Sequence, residues 1–238
     1  MTAVPAATRR RLRVQVLGTR GKIRPSARRY ARHAGVLVDG RILLDVGDPA
    51  YLRYRPDAIF ISHLHPDHAA FPAGRGAPDA DVYVPQAART LPWARVMTGP
   101  VDVGDCRVVP VPTVHSHVVR SLGFVVEKAA RRVFYSSDLV TILPRYRARL
   151  GRLDLVITDG SFMRRGGLVR TDLASGRRFG HAGIPELVEL FGAFTERIVV
   201  THFGSWFYRD ISAARRKIAA LGDGVRVSAA FDGMTIDL

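Results

Sequence analysis

Apolar residues gather in strand-length runs along this chain, rich in valine, isoleucine and leucine and bounded by Gly, Pro or Asp. Runs at 12–17, 35–38, 42–46, 58–61, 82–85, 108–113, 123–127, 132–135, 154–158, 197–201, 225–229 and 234–237 predict β-strands. Helical spacing is scarcer. Residues 185–194 predict a helix with Pro185 in its first turn, and residues 208–221 predict another with Gly222 just beyond its end. A third stretch, 139–150, has helical spacing interrupted by Pro144. Strands come first, and strands mixed with helices follow. That order suits stacked sheets with helices outside them. No internal repeat or low-complexity linker divides the chain. Two segments read as irregular: residues 18–33, basic and turn-rich, and the glycine-rich residues 160–180. Loops of that length are often functional.

Composition narrows the class. A chain of 238 residues, 47% apolar and 24% charged, is ordinary globular material and fits one domain, 1–238. No run of about 18 apolar residues spans a membrane. The stretch Met1–Arg11 has no apolar core of signal-peptide length. Cys106 is the only cysteine, which excludes an intramolecular disulfide and suits a reducing cytoplasm. It lies in D-C-R-V-V-P-V and reads as a packed core thiol, not a nucleophile. The net charge of +15 favours phosphate-bearing partners, nucleic acid among them. However, 33 arginines against 3 lysines also fit a coding bias spread over the surface. Charge alone supplies no groove and no substrate. Gly21-Lys22 hints at a phosphate-binding loop, but Val16 stands where a glycine is needed and Ile23 where a Ser or Thr is needed.

The chemistry is concentrated in A-I-F-I-S-H-L-H-P-D-H, residues 58–68. A buried strand runs into His63, His65, Asp67 and His68. In extended chain His63 and His65 point the same way. Pro66 breaks that geometry and frees Asp67 and His68 to turn toward a second point. Imidazole and carboxylate together suit zinc, iron or manganese better than calcium or magnesium. A catalytic site also needs an open position, which makes two metals sharing a water plausible. His115, Asp138 and His202 each follow a predicted strand, so they can converge on one sheet edge. A lone histidine after a strand is ordinarily a hydrogen-bonded structural residue. A cluster of this density is not.

S-H-L-H-P-D-H resembles the HxHxDH signature of the metallo-β-lactamase superfamily, and the resemblance runs over nearly the whole chain. L-L-D-V-G at 43–47 resembles the strand ending in Asp-x-Gly that precedes the signature there, which makes Asp45 a group orienting the signature loop. The resemblance implies an α/β (α+β) fold, the four-layer αββα sandwich, with the site at one edge. It implies that His63, His65 and His115 hold one metal, that Asp67, His68 and His202 hold the other, and that Asp138 bridges them. The metals are two divalent ions, zinc by preference, with Mn or Fe as alternatives. His117 competes with His115, and the family pattern favours His115.

His181, in G-H-A-G-I-P-E-L, lies 21 residues before His202. That pairing resembles ribonuclease Z and the phosphoribosyl cyclic phosphodiesterases, where an extra histidine faces the scissile phosphate. A histidine held structurally at a helix start is the competing reading. T-H-F-G-S-W-F-Y resembles the ribonuclease Z end motif, with Trp206 in place of the usual Arg. The separation of 23 residues from His115 to Asp138 leaves no room for the RNA-gripping arm of ribonuclease Z, and that of 43 from Asp138 to His181 leaves none for an inserted domain. The cysteine cluster of the phosphonate-pathway enzymes is missing, and no helical domain follows His202.

The expected function is therefore phosphodiester hydrolysis, with water activated between two metals and with Asp67 and His181 as catalytic residues. The substrate is an anionic phosphodiester that is small, cyclic or part of a nucleic acid. Carbonyl hydrolysis of a thioester, lactone or β-lactam by the same site is the alternative. A non-catalytic metal-binding or regulatory domain is the second. Arg20, Lys22, Arg24, Arg164, Arg165 and Arg170 lie in the two irregular segments, and no single one is assigned to substrate. The sequence leaves a homodimer open.

Overall fold

The computed structural model describes residues 11–72 and 76–238. The leader-free reading of the N-terminus therefore falls almost wholly outside the described residues. Strands β1 (Arg13–Gly18), β2 (Gly35–Val38), β3 (Ile42–Leu44), β4 (Ala58–Phe60), β5 (Asp81–Val84) and β6 (Arg95–Val96) build one sheet. Strands β7 (Val101–Val103), β8 (Cys106–Thr113), β9 (Ser121–Lys128), β10 (Arg131–Tyr135) and β11 (Leu155–Asp159) belong to a second. A separate hairpin follows, β12 (Leu168–Thr171) with β13 (Arg178–His181). Then β14 (Arg197–Thr201) and β15 (Arg226–Ala229) complete the second sheet, and β16 (Met234–Asp237) returns to pair with β1 in the first. The helices are α1 (Pro144–Arg147), α2 (Ile184–Gly192) and α3 (Ile211–Ala219).

Most strands are apolar on both faces, which is why they read as continuous runs. Val36 and Val38 of β2, Ile42 and Leu44 of β3, and Phe60 of β4 point inward to meet Phe124, Val126, Val133, Tyr135, Leu155 and Ile157 of the second sheet. Their alternates point outward. Phe134, Val156, Ile198 and Val200 pack beneath α2 and α3. Leu43, Ile59 and Ile61 pack beneath Tyr51 and Leu91. The outer layer on that side is a 3-10 turn, Pro49–Tyr54, and irregular chain. Pro72, Pro78, Pro85 and Pro92 keep much of that stretch from becoming helical. The layers are those of the αββα sandwich. Among the described residues, no helix is long and apolar enough to cross a membrane.

Three expectations need correction. Residues 139–150 form no long helix, because Pro144 can only start one, and α1 is the four residues Pro144–Arg147. The helix expected at 208–221 begins later: Asp210 is extended and accepts a hydrogen bond from Ala213 N at 2.9 Å, a side-chain cap that sets the start of α3. Residues 160–180 are not irregular throughout, since β12 and β13 pair across them. Cys106 is buried in the inter-sheet core, where burial and the neighbouring Asp39 and Asp105 push its thiol up to about 12. It is a packing residue, not a nucleophile. Asp39 and Asp105 instead hold Lys128, at 2.6 and 3.4 Å.

Candidate metal centre

Parallel pairing of β3 with β4, and of β10, β11 and β14 with one another, sends the segments that follow these strands to the same edges of their sheets. The signature loop follows β4. Pro66 occupies the second position of a turn closed by His68 N donating to His65 O at 3.0 Å, which brings Asp67 and His68 round beside His63, with the His63 and His68 ring centroids 4.1 Å apart. His115 comes two residues after β8, Asp138 three after β10, and His202 directly after β14. Asp45, Ser137 and His202 all hold positive φ, at 62°, 54° and 54°. Left-handed backbone at three non-glycine residues in one site is a strain that the surrounding packing must hold.

All seven predicted side chains meet there. His63 Nε2 lies 3.0 Å from His65 Nδ1, and His65 Nδ1 lies 3.4 Å from His115 Nε2. Asp138 Oδ2 sits 3.7 Å from both His63 Nε2 and His115 Nε2. In the second trio His202 Nε2 lies 3.2 Å from His68 Nε2 and 3.2 Å from Asp67 Oδ2. Asp138 turns its other oxygen, Oδ1, toward this trio, 3.4 Å from His68 Nε2. The side chains thus form two donor groups, His63, His65 and His115 with Asp138 and Asp67 with His68 and His202, and Asp138 Oδ1 also faces the second; Asp138, Asp159, His181 and His202 make a further close group. His117 lies outside all three; it is exposed on the loop after His115.

The donor set fits cations. His68 donates Nδ1–H to Asp45 Oδ2 at 2.8 Å, and His115 donates Nδ1–H to Gly180 O at 2.9 Å. With a cation bound both rings would be neutral, and their Nε2 lone pairs would face the centre. Among the described residues, Asp138 Oδ1 is buried with no hydrogen-bond partner. Converging lone pairs and an orphaned buried carboxylate oxygen are costly unless a positive charge lies among them.

Asp45 is the hub that fixes this arrangement. Besides His68, it accepts from Ser62 N at 2.7 Å, Ser62 Oγ at 2.8 Å and Tyr135 OH at 2.8 Å. These bonds tie the signature loop to the opposite sheet. Replacing Asp45 with Asn removes charge and acceptor capacity at the His68 contact. Metal affinity is expected to fall about 10–100-fold, the usual cost of losing such a support. Competition with a chelator of known affinity measures this, and an unchanged affinity would refute the role.

Sequence reasoning missed Asp159, the last residue of β11. It accepts from Ser161 N at 2.8 Å, and its Oδ2 accepts Nδ1–H of His181 at 2.6 Å. His181 ends β13, half-buried, with its ring 4.9 Å from that of His115 and 5.9 Å from that of His202. Burial opposes a charge on His181, but the Asp159 carboxylate outweighs it and raises the pKa. His181 stands three residues before α2, and its structural hydrogen bond goes to Asp159 and not to the helix.

A cleft of about 700 Å³ opens over the centre. Its walls include Ile23, Phe162, Met163, Leu168 and Trp206, and its cations are Lys22, Arg164 and Arg209. Trp206 is anchored by Nε1–H donating to Gly160 O at 3.0 Å. Gly21 admits the basic loop to the site: a Cβ there would lie 3.1 Å from His202 Cε1.

A family profile described as beta-lactamase superfamily domain matches residues 45–203, from the Asp45 hub to just past His202. The chain belongs to the beta-lactamase superfamily. No curated protein matches it. Solved structures share this superfamily fold at low identity. The metallo-beta-lactamase fold protein YhfI from Bacillus subtilis superposes with a TM-score of 0.70 at 18% identity, covering 96% of this chain and 100% of that one. A diphosphatase from the PhnP family gives 0.65 at 17% identity, covering 96% and 97%. The short form of human tRNase Z gives 0.64 at 19% identity, covering 94% and 98%. The chain is thus a superfamily member with the His/Asp set of a metal-dependent hydrolase.

In this superfamily site, burial lowers the pKa of His63 and His65 and takes His115 to about 4, so these rings are neutral at pH 7. His68 differs. Burial opposes its charge, but the carboxylates of Asp138 and Asp45 prevail and raise it to about 10. Without metal His68 carries two protons at pH 7, and a cation bound at Nε2 displaces one. Affinity should therefore climb as pH rises through the neutral range and weaken as pH falls. Calorimetric titration of the metal in buffers of differing ionisation enthalpy should read at least one proton released per chain at pH 7. Release of none would contradict this assignment.

Proposed function

We propose that the chain is a phosphodiesterase that uses two divalent cations, zinc by preference. His63, His65 and His115 would hold one ion, Asp67, His68 and His202 the other, and Asp138 would bridge. Mn or Fe would suit the same donors. When bound, such cations act as Lewis acids on a phosphoryl oxygen and lower the pKa of a water toward about 7.

The Asp159–His181 pair carries this reading. Asp159 fixes the ring through Nδ1, leaving Nε2 as the nitrogen free to act on a substrate in the cleft. The raised pKa keeps a proton available there. A positioned imidazolium can donate to the oxygen that leaves phosphorus. A thiolate leaves without a proton, so thioester hydrolysis has less use for such a donor; a lactam nitrogen does need one, and there it is the cations of the cleft that favour phosphorus. Lys22, Arg164 and Arg209 favour an anionic substrate, while Phe162, Trp206 and Leu168 favour one with an organic group beside the phosphate. Asp67 would hold the second cation together with His68 and His202, whose Nε2 lies 3.2 Å from Asp67 Oδ2. The fold shared with a diphosphatase and a tRNase Z is in keeping with phosphorus chemistry.

The test compares substrates. Protein of known metal content is assayed against bis(p-nitrophenyl) phosphate, a thioester, a lactone and a β-lactam. The diester should give the highest kcat/KM. A carbonyl ester hydrolysed faster than the phosphodiester would reverse the reading.

A further inference from the structure

The hairpin that carries His181 continues beyond the cleft. In its register Leu168 lies opposite His181, and Arg170 lies opposite Phe179. Opposed residues share a face of a two-stranded sheet, and alternate residues return to it. Leu168, Arg170, Phe179 and His181 therefore lie on one side. Leu168 and His181 line the cleft. The same face extends outward from it, with Arg170 two residues, or about 7 Å, beyond Leu168.

Phe179 is not alone there. The exposed ring of His117 packs against it, with centroids 4.2 Å apart. His117 lost the competition for the metal site and instead forms half of an aromatic platform. The hairpin's charges are also available. Arg165, at its base, is taken up by Glu186 and Glu189, and Asp172 is occupied within the tip by Ala174 N and Ser175 Oγ. Arg170, Arg177 and Arg178 are exposed, and none has a carboxylate partner among the described residues. At the base, Gly167 has a positive φ of 52°, and a Cβ there would collide with the His181 carbonyl, so hairpin and site are in tight contact.

Cations beside stacking rings, continuous with a cleft over a phosphodiester-cleaving centre, are what an unpaired polynucleotide requires. We propose that this face grips an extended single-stranded nucleic acid whose scissile linkage lies in the cleft. Arg170 meets a neighbouring phosphate, and the Phe179–His117 pair stacks a base. The inference rests on the phosphodiesterase reading. An anionic membrane is the less suitable occupant. Leu173, 97% exposed at the tip, and Val118, 74% exposed beside His117, are single large apolar side chains on separate loops, and the rings lie along the face.

The test uses zinc-loaded protein and a fluorescent, phosphorothioate-linked single strand, read by anisotropy across a range of salt. Arg170→Ala should weaken binding at least fivefold and reduce the slope of log affinity against log salt by about 0.7, the value for one lost single-strand phosphate contact. His117→Ala should weaken binding severalfold with the slope unchanged. Both variants should keep the wild-type kcat/KM on bis(p-nitrophenyl) phosphate, which also shows that they fold. Equal affinity and slope in Arg170→Ala overturns the proposal. So does preferential binding to phosphatidylglycerol vesicles that is lost in Leu173→Asp. Hydrolysis of the small diester without strand binding overturns the surface alone. Strand binding with this pattern but no diester hydrolysis upholds the surface and defeats the reading of the centre.

Discussion

Replacing Asp138 with alanine is expected to take the protein from two bound metals per chain to one or none, and to cut phosphodiester turnover by about 10³-fold or more. The physical reason is its position. One carboxylate faces both donor trios, 3.7 Å from His63 and His115 through Oδ2 and 3.4 Å from His68 through Oδ1. Burial opposes its charge, yet His202 and His68 hold its pKa well below the carboxylate range, so it is ionised throughout the working range. Losing it removes the one group the two trios have in common. Metal catalysis supplies several kcal/mol of charge stabilisation, and about 4 kcal/mol corresponds to roughly 10³ in rate. Thermal stability should respond as well. Added metal should raise the melting temperature of the wild type through preferential binding to the folded state, and it should raise that of the variant much less. Metal content, turnover and the melting curve measure the three effects. A variant that keeps two metals and its activity would rule out the bridging role. A variant that loses its metals while the protein's cellular role persists would favour a non-catalytic binding domain.

The second large effect is expected at His181. Its replacement by alanine should cost about 10²–10⁴-fold on a diester with an alkoxide leaving group, the ordinary scale of a lost proton donor. The loss should be under about tenfold with p-nitrophenolate, which departs without a proton. This difference separates a proton donor from a residue that only shapes the cleft. Equal losses on both substrates would refute the acid role. Asp159→Asn should act in the same direction through the ring it holds. The pH profile supplies the sign. The imidazolium is the donor, so activity through it is present below its pKa and lost as pH rises past it. Asp159 raises that pKa, and its neutralisation should move the alkaline limb to lower pH.

Much of the site could be read before the fold was known, and the reason is local. His63, His65, Asp67 and His68 stand within six residues, so the chain's own geometry brings them together. His115, Asp138 and His202 were legible because each lies within three residues of the end of an apolar run that reads as a buried strand. Asp159 also follows such a run. Nothing around it marks it among 21 acidic residues, and its partner His181 is 22 residues away. The hairpin was missed because L-V-R-T and R-F-G-H are too short and polar for a strand pattern. They pair because the tip turns on Asp172 and the base is held from α2, where Glu186 accepts from Gly166 N at 3.1 Å.

The basic segment 18–33 shows the same division. Its charge was plain from the sequence, but its placement depends on Asp232, some 200 residues away, which accepts from Thr19 Oγ1 at 2.7 Å, Ala31 N at 2.8 Å and Arg32 N at 3.0 Å. The sequence by itself determined the long apolar strands, the family and the seven side chains that meet at the centre, because apolar runs and closely spaced polar residues are short-range signals. Only the tertiary structure decided how the donors divide around Asp138, which residue orients His181, and which loops wall the cleft. Those features come from contacts between distant segments, and a buried carboxylate shows its role only through the groups that surround it.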